Sequence, residues 1–173
     1  MLKKLIIFFS IFFSLTNFSY CNEKIVFIDI NFIFINSTAG KDLNKKILEK
    51  NEKLKLEIKD FKKKIDDDRN QILSQKNVLS EEEYNIKINN LEKKIKQINA
   101  TISKKNDELK LYKNKVENIF SKNLNSIIEL YSIENSINIV LNKDNLLMAK
   151  KDLDITQKVL AIFNEKINKL SIN

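Results

Sequence analysis

Few residues in this 173-residue chain have the types and spacing to do chemistry. It has no His, one Cys and one Gly, so Ser80, Ser103 and Ser121 lack an imidazole base, and zinc lacks its commonest nitrogen ligand. Asp66-Asp67-Asp68 and Glu81-Glu82-Glu83 are the carboxylate clusters. Consecutive helix residues point about 100° apart, so neither triplet converges on a cation or a glycosidic bond; they read as a solvated helix face and a helix start. The sole glycine lies in Ser37-Thr38-Ala39-Gly40-Lys41. A phosphate cradle needs Gly, four residues, then Gly-Lys-Ser/Thr, whereas Asp42 follows Lys41 and no glycine precedes. What remains is charge: Lys62-Lys63-Lys64 and Lys93-Lys94 either face an anionic partner or are simply solvated. The inventory argues against an enzyme, and no cofactor or metal is expected.

The formal charge is +8, but Lys, Asn and Ile make up nearly half the chain, the composition an AT-rich genome produces. Residues 1–21 hold Lys3, Lys4 and no acid, so removing them leaves +6. Lys41 to Leu130 holds 22 bases and 16 acids, which accounts for that whole excess. With a single Arg, Arg69, and no recognition motif, a nucleic-acid partner is not expected.

The amino terminus reads as a secretory signal peptide over residues 1–21. Lys3-Lys4 is a basic n-region, Leu5 to Leu15 is apolar apart from Ser10 and Ser14, and Ser19 and Cys21 are small residues at the minus three and minus one positions. Thr16-Asn17 ends the run short of the ~20 residues a membrane span needs. Tyr20 is bulky where a lipoprotein site wants a small residue. The mature chain then begins at Asn22, lacks cysteine, and must draw its stability from packing or association.

The elements that follow divide into a body and an arm. Lys24 to Ile30 reads as a buried strand, and Asn31 to Ser37 as the first turns of a helix entered from it. From Leu43 a narrow apolar seam begins: Leu54, Ile58, Phe61, Ile65, Asp68, Ile72, Gln75 and Leu79 step by alternating four and three, with two polar breaks. Tyr84, Ile88, Leu91, Ile95, Ile98, Ile102, Lys105, Leu109, Tyr112, Val116 and Ile119 continue the step with Lys105 as the one break. Between the runs, Ser80 and Glu83 form a capping-box pattern with three acids in the first turn. A helix that restarts inside continuous heptads implies an antiparallel hairpin with its tip near 76–80; the alternative is one unbroken rod.

Beyond Ile119 the apolar face broadens through Phe120, Leu124, Ile127, Ile128 and Tyr131, marking the return to the body. Asn135 to Leu141 alternates as a strand, Asn142 to Asn145 reads as a turn, and Leu146-Leu147-Met148 as a short second strand able to complete a β-hairpin. Asp154 with Gln157 marks the start of a closing helix whose apolar face is Val159, Leu160, Phe163, Ile167 and Leu170. The expected fold is mainly α with a small β body: a long coiled-coil hairpin (43–131) inserted into a small α/β body (22–42 and 132–173).

With these elements placed, the chain resembles the Skp/OmpH family of periplasmic chaperones. The resemblance rests on Lys24-Ile25-Val26-Phe27-Ile28-Asp29, Ser37-Thr38-Ala39-Gly40-Lys41, Ile139-Val140-Leu141-Asn142-Lys143-Asp144 and, most specifically, Leu153-Asp154-Ile155-Thr156-Gln157-Lys158-Val159. It covers essentially the whole mature chain, though the arm matches in pattern rather than in residues, and the lipopolysaccharide-contact residues of some members have no counterpart. The resemblance implies a homotrimer whose bodies join through a small β-barrel, with arms around a cavity that holds unfolded outer-membrane β-barrel proteins without ATP. On it, Ile25, Phe27, Ile139, Val140 and Leu141 are candidate oligomerisation residues. Lys62, Lys63, Lys93 and Lys94 are candidate client contacts, and an anionic membrane surface is a further partner. The competing reading is a structural coiled-coil protein of the cell envelope, which would favour a rod and an anchor.

Overall fold

The computed structural model describes residues 23–172, so the leader expectation for 1–21 lies outside the described residues. The chain runs β1 (Ile25–Ile28), α1 (Ile30–Asn36), α2 (Thr38–Ser74), α3 (Glu81–Glu134), β2 (Ile139–Asn142), two short 3-10 turns at Lys143–Asn145 and Lys151–Leu153, and α4 (Thr156–Lys166). Strands β1 and β2 pair in parallel, Ile25 opposite Ile139 and Phe27 opposite Leu141. Parallel strands need a crossover, and here the crossover is the entire helical hairpin. On its other side β1 makes a bridge at Phe27 to Asp154, with Ile155 N–H donating to the Phe27 carbonyl at 3.0 Å.

The body core gathers Val26 and Ile28 from β1, Ile33 from α1, Ala39 and Leu43 from the start of α2, Val116, Phe120, Leu124 and Ile127 from α3, and Val159 and Phe163 from α4. Phe120 is its hub, edge-on to Phe34 with ring centroids 4.9 Å apart and tilted against Phe163 at 5.1 Å. The broadened apolar face of α3 is therefore the part of that helix that enters the body.

Three expectations are corrected. Leu146–Met148 is not a strand: Asn142 Oδ1 accepts the Asp144 N–H at 3.3 Å and turns the chain into a 3-10 turn, and Leu147 and Met148 stand out in solvent. The strand near Asn135–Leu141 begins only at Ile139, because α3 runs to Glu134 and Ser136 takes a positive φ of 53° to reverse the chain. The closing helix starts at Thr156 and ends at Lys166; Asp154 Oδ1 accepts the Thr156 N–H at 2.9 Å, and Leu170 joins the core from beyond the helix.

The helix entered from β1 is broken at Ser37. Buried Ser37 caps α2 by accepting the Gly40 N–H at 3.1 Å, and the Thr38 N–H donates to Asn164 Oδ1 of α4 at 2.9 Å. A Cβ on Gly40 would lie 2.0 Å from the Phe34 carbonyl oxygen and 2.7 Å from Ser37 Oγ. Glycine is the residue that lets the end of α1 come this close to the first turn of α2.

Candidate functional site

The arm is built by α2, 37 residues long, and α3, 54 residues long, or about 55 and 80 Å at 1.5 Å per residue. Every seam position of the first run, Leu54 to Leu79, is buried or half-buried, polar Asp68 and Gln75 included. The same holds from Tyr84 to Ile119 on the second, Lys105 included. The hairpin reading is thereby borne out against the rod. Ser80 caps α3: its Oγ accepts the Glu83 N–H at 3.3 Å and its own N–H donates to Glu83 Oε2 at 3.0 Å. Hydrogen bonding from Ser80 holds the Glu83 carboxyl below its usual range.

Cross-arm contacts fix the register. Lys50 Nζ lies 4.7 Å above the Tyr112 ring, Lys105 Nζ meets Glu57 Oε2 at 2.7 Å, and Lys94 pairs with Asp68. Each step from Lys50 to Glu57 to Asp68 up α2 is matched, residue for residue, by the step from Tyr112 to Lys105 to Lys94 back along α3. Two of the three polar breaks in the seam, Asp68 and Lys105, thus belong to ionic layers; in one of them the Lys105 hydrogen bond draws the Glu57 carboxyl down and Glu57 raises the Lys105 ammonium. The acidic triplets disperse in the same way: Asp66 pairs with Arg69 at 3.1 Å, Asp68 crosses the arm, and Glu83 closes the cap.

The candidate client lysines separate by environment. Lys62, Lys63 and Lys93 are exposed on the arm and form no ion pair among the described residues, whereas Lys94 is engaged by Asp68. The arm also exposes apolar side chains outside the seam, Leu56, Leu73, Ile86 and Leu111 among them. These were not singled out in the sequence because they interrupt no period; the signal available was an apolar residue at a non-seam heptad position.

The candidate oligomerisation residues divide by strand alternation. Val26, Ile28 and Val140 face the body core. On the opposite face Ile25 is 39% exposed, Ile139 43% and Leu141 38%, while Phe27 is buried beside the Asp154 bridge. A solvated strand face is ordinarily polar; this one is apolar at all four positions.

A two-stranded body split by a long helical hairpin, with an arm sealed only by its own seam, defines a class of helical-arm proteins. The chain belongs to the OmpH-like outer membrane protein family, whose model matches residues 24–163. Its fold is similar to the crystal structure of an OmpH-like protein from Caulobacter crescentus CB15, with a TM-score of 0.77 and 14% identity over 87% of this chain and 89% of that one. No curated protein sequence matches it. Among the described residues no helix is long and apolar enough to cross a membrane, and no group of three or more His, Cys, Asp or Glu side chains could hold a metal ion.

Proposed function

We propose that this protein is an ATP-independent periplasmic holdase that keeps unfolded outer-membrane β-barrel proteins from aggregating in a cavity between helical arms. The observation that carries the reading is the arm: two helices sealed only against each other, leaving a long surface of exposed lysines and scattered apolar residues. Such a surface holds an extended chain weakly at many points, through charge at long range and apolar contact at short range. In this reading residues 43–131 form the arm, and 22–42 with 132–173 the body. Three bodies associate through the apolar sheet face of Ile25, Phe27, Ile139 and Leu141, since a small split body gains stability by covering it.

The test is suppression of aggregation of a urea-unfolded outer-membrane β-barrel protein on dilution, with and without nucleotide. Suppression without nucleotide at stoichiometric protein is expected. Absence of suppression, or a strict need for ATP, overturns the reading and returns the arm to the structural coiled-coil alternative.

A further inference from the structure

The seam of the arm is repetitive. In the register these contacts set, Leu54, Phe61, Ile65 and Ile72 face Leu109, Ile102, Ile98 and Leu91, and a slip of one heptad puts apolar against apolar again at most of these positions. The ionic layers are not repetitive. Lys105 meets Glu57, and the residues one heptad to either side of Glu57 are Lys50 and Lys64, so either slip sets Lys105 against another lysine. Lys94 meets Asp68, and one heptad to either side stand Phe61 and Gln75, so either slip leaves Lys94 without an acid. Each of these lysines finds an acid in only one of the three registers; the slip that sets Lys94 against Phe61 brings Lys87 to Asp68, so the Glu57–Lys105 layer opposes both slips and the Asp68–Lys94 layer opposes the other one. The layers also interrupt apolar packing, since Asp68 and Lys105 stand at seam positions where the four-three step calls for an apolar side chain, and open surface clefts of about 250 Å³ and 230 Å³ lie beside them.

Sequence separation gives these layers precedence in folding. Asp68 and Lys94 are 26 residues apart, whereas the contact of Lys24 with Asn138 that closes the body spans 114. Short loops close first, so register is chosen at the tip before the body can enforce it. We propose that the layers Glu57–Lys105 and Asp68–Lys94 are a register lock: they give up apolar packing to exclude one-heptad slips, so that the two ends of the arm return in phase for β1 to meet β2.

The test follows refolding of the full chain from urea with spin labels at the exposed, opposed positions Lys59 and Ser103. The parent refolds with one inter-label distance. The double variant Asp68→Leu, Lys105→Leu fills the seam and resists urea better. It is nevertheless expected to refold with an added slow phase and a second, longer inter-label distance, because a slip offsets the two labels along the arm by about 10 Å, the length of one heptad. Lys105→Glu is the second variant: it repels Glu57 in the native register and gains Lys50 or Lys64 in either slip, so the same second distance is expected. Parent-like phases and a single distance in both variants overturn the lock and leave the pairs as surface ion pairs.

Discussion

Lys143 Nζ reaches Asp29 Oδ2 at 2.8 Å, joining residues 114 apart in the chain. The same carboxylate caps α1, its Oδ1 accepting the Phe32 N–H at 2.8 Å, and the Asp29 N–H donates to Thr156 Oγ1 at 2.9 Å. One residue thereby ties the end of β1, before the inserted arm, to the turn after β2 and the start of α4, both beyond it.

That junction makes body stability depend on acid. The hydrogen bond from Lys143 is the largest influence holding the Asp29 carboxyl below its usual range, with the Phe32 N–H adding to it and burial opposing. A depressed folded pKa contributes stability that is present above the unfolded value of about 3.9 and is lost as pH falls through the folded value. Lys143→Met is expected to lower the melting temperature slightly at pH 7, as a partly exposed pair does, and to flatten the loss below about pH 4. Asp29→Ala also removes the cap and costs about 1 kcal/mol more. Parallel melting curves for parent and Lys143→Met from pH 7 to pH 2 would show that the pair is solvated and idle.

Gly40→Ala is the sharpest test of the junction between α1 and α2. The added methyl has nowhere to go, with the Phe34 carbonyl oxygen 2.0 Å from its ideal position, so α1 or α2 must shift. A loss of about 1–3 kcal/mol is expected, the range for over-packing a close contact, read as a lower urea midpoint at unchanged m. An unchanged midpoint would mean that the two helices move apart freely.

The same junction separates what local sequence pattern encodes from what tertiary contact decides. The arm was legible residue by residue, because a four-three apolar step and a Ser80–Glu83 box are local and have one structural solution. The lone glycine could be dismissed as a phosphate site but not assigned a role, since its role is set by a carbonyl from the preceding helix. Leu146–Met148 read as a strand because three apolar residues after a turn match that pattern, yet nothing local reports whether a partner strand is within reach. Of the site, Lys105 and Asp68 were visible as breaks in the seam, but their partners depend on register, which no single helix encodes.

The outward sheet face can be separated from the core by neighbouring substitutions. Ile139→Asp and Leu141→Asp change exposed side chains, whereas Val140→Asp places a charge against the body core. If that face joins subunits, the first two lower the sedimenting mass toward the monomer with helix content retained, and Val140→Asp unfolds the body as well. A parent that sediments as a monomer at micromolar concentration would remove the trimer from the proposal.

Motion of the arm follows from how its layers differ. The root is held by Phe120, Leu124 and Ile127 in the core, each apolar side chain worth about 1.5–3 kcal/mol when buried. Toward the tip the seam keeps buried Ile72 and Leu91, but next to them an apolar layer is replaced by the half-exposed pair Asp68–Lys94, worth at most about 1 kcal/mol. Beyond it, Gln75 contributes a buried Oε1 without a donor. Amides from Asp68 to Tyr84 are therefore expected to exchange faster than those from Ile119 to Ile128. Raising salt from low to molar concentration should widen that gap, because screening weakens ionic layers and leaves apolar ones intact. In a holdase, an arm loosened at the tip and closed at the root would splay for clients of different size without opening the body. Equal protection along the arm at both salt concentrations would identify rigid rods, and client entry would then have to proceed by movement of whole arms relative to one another.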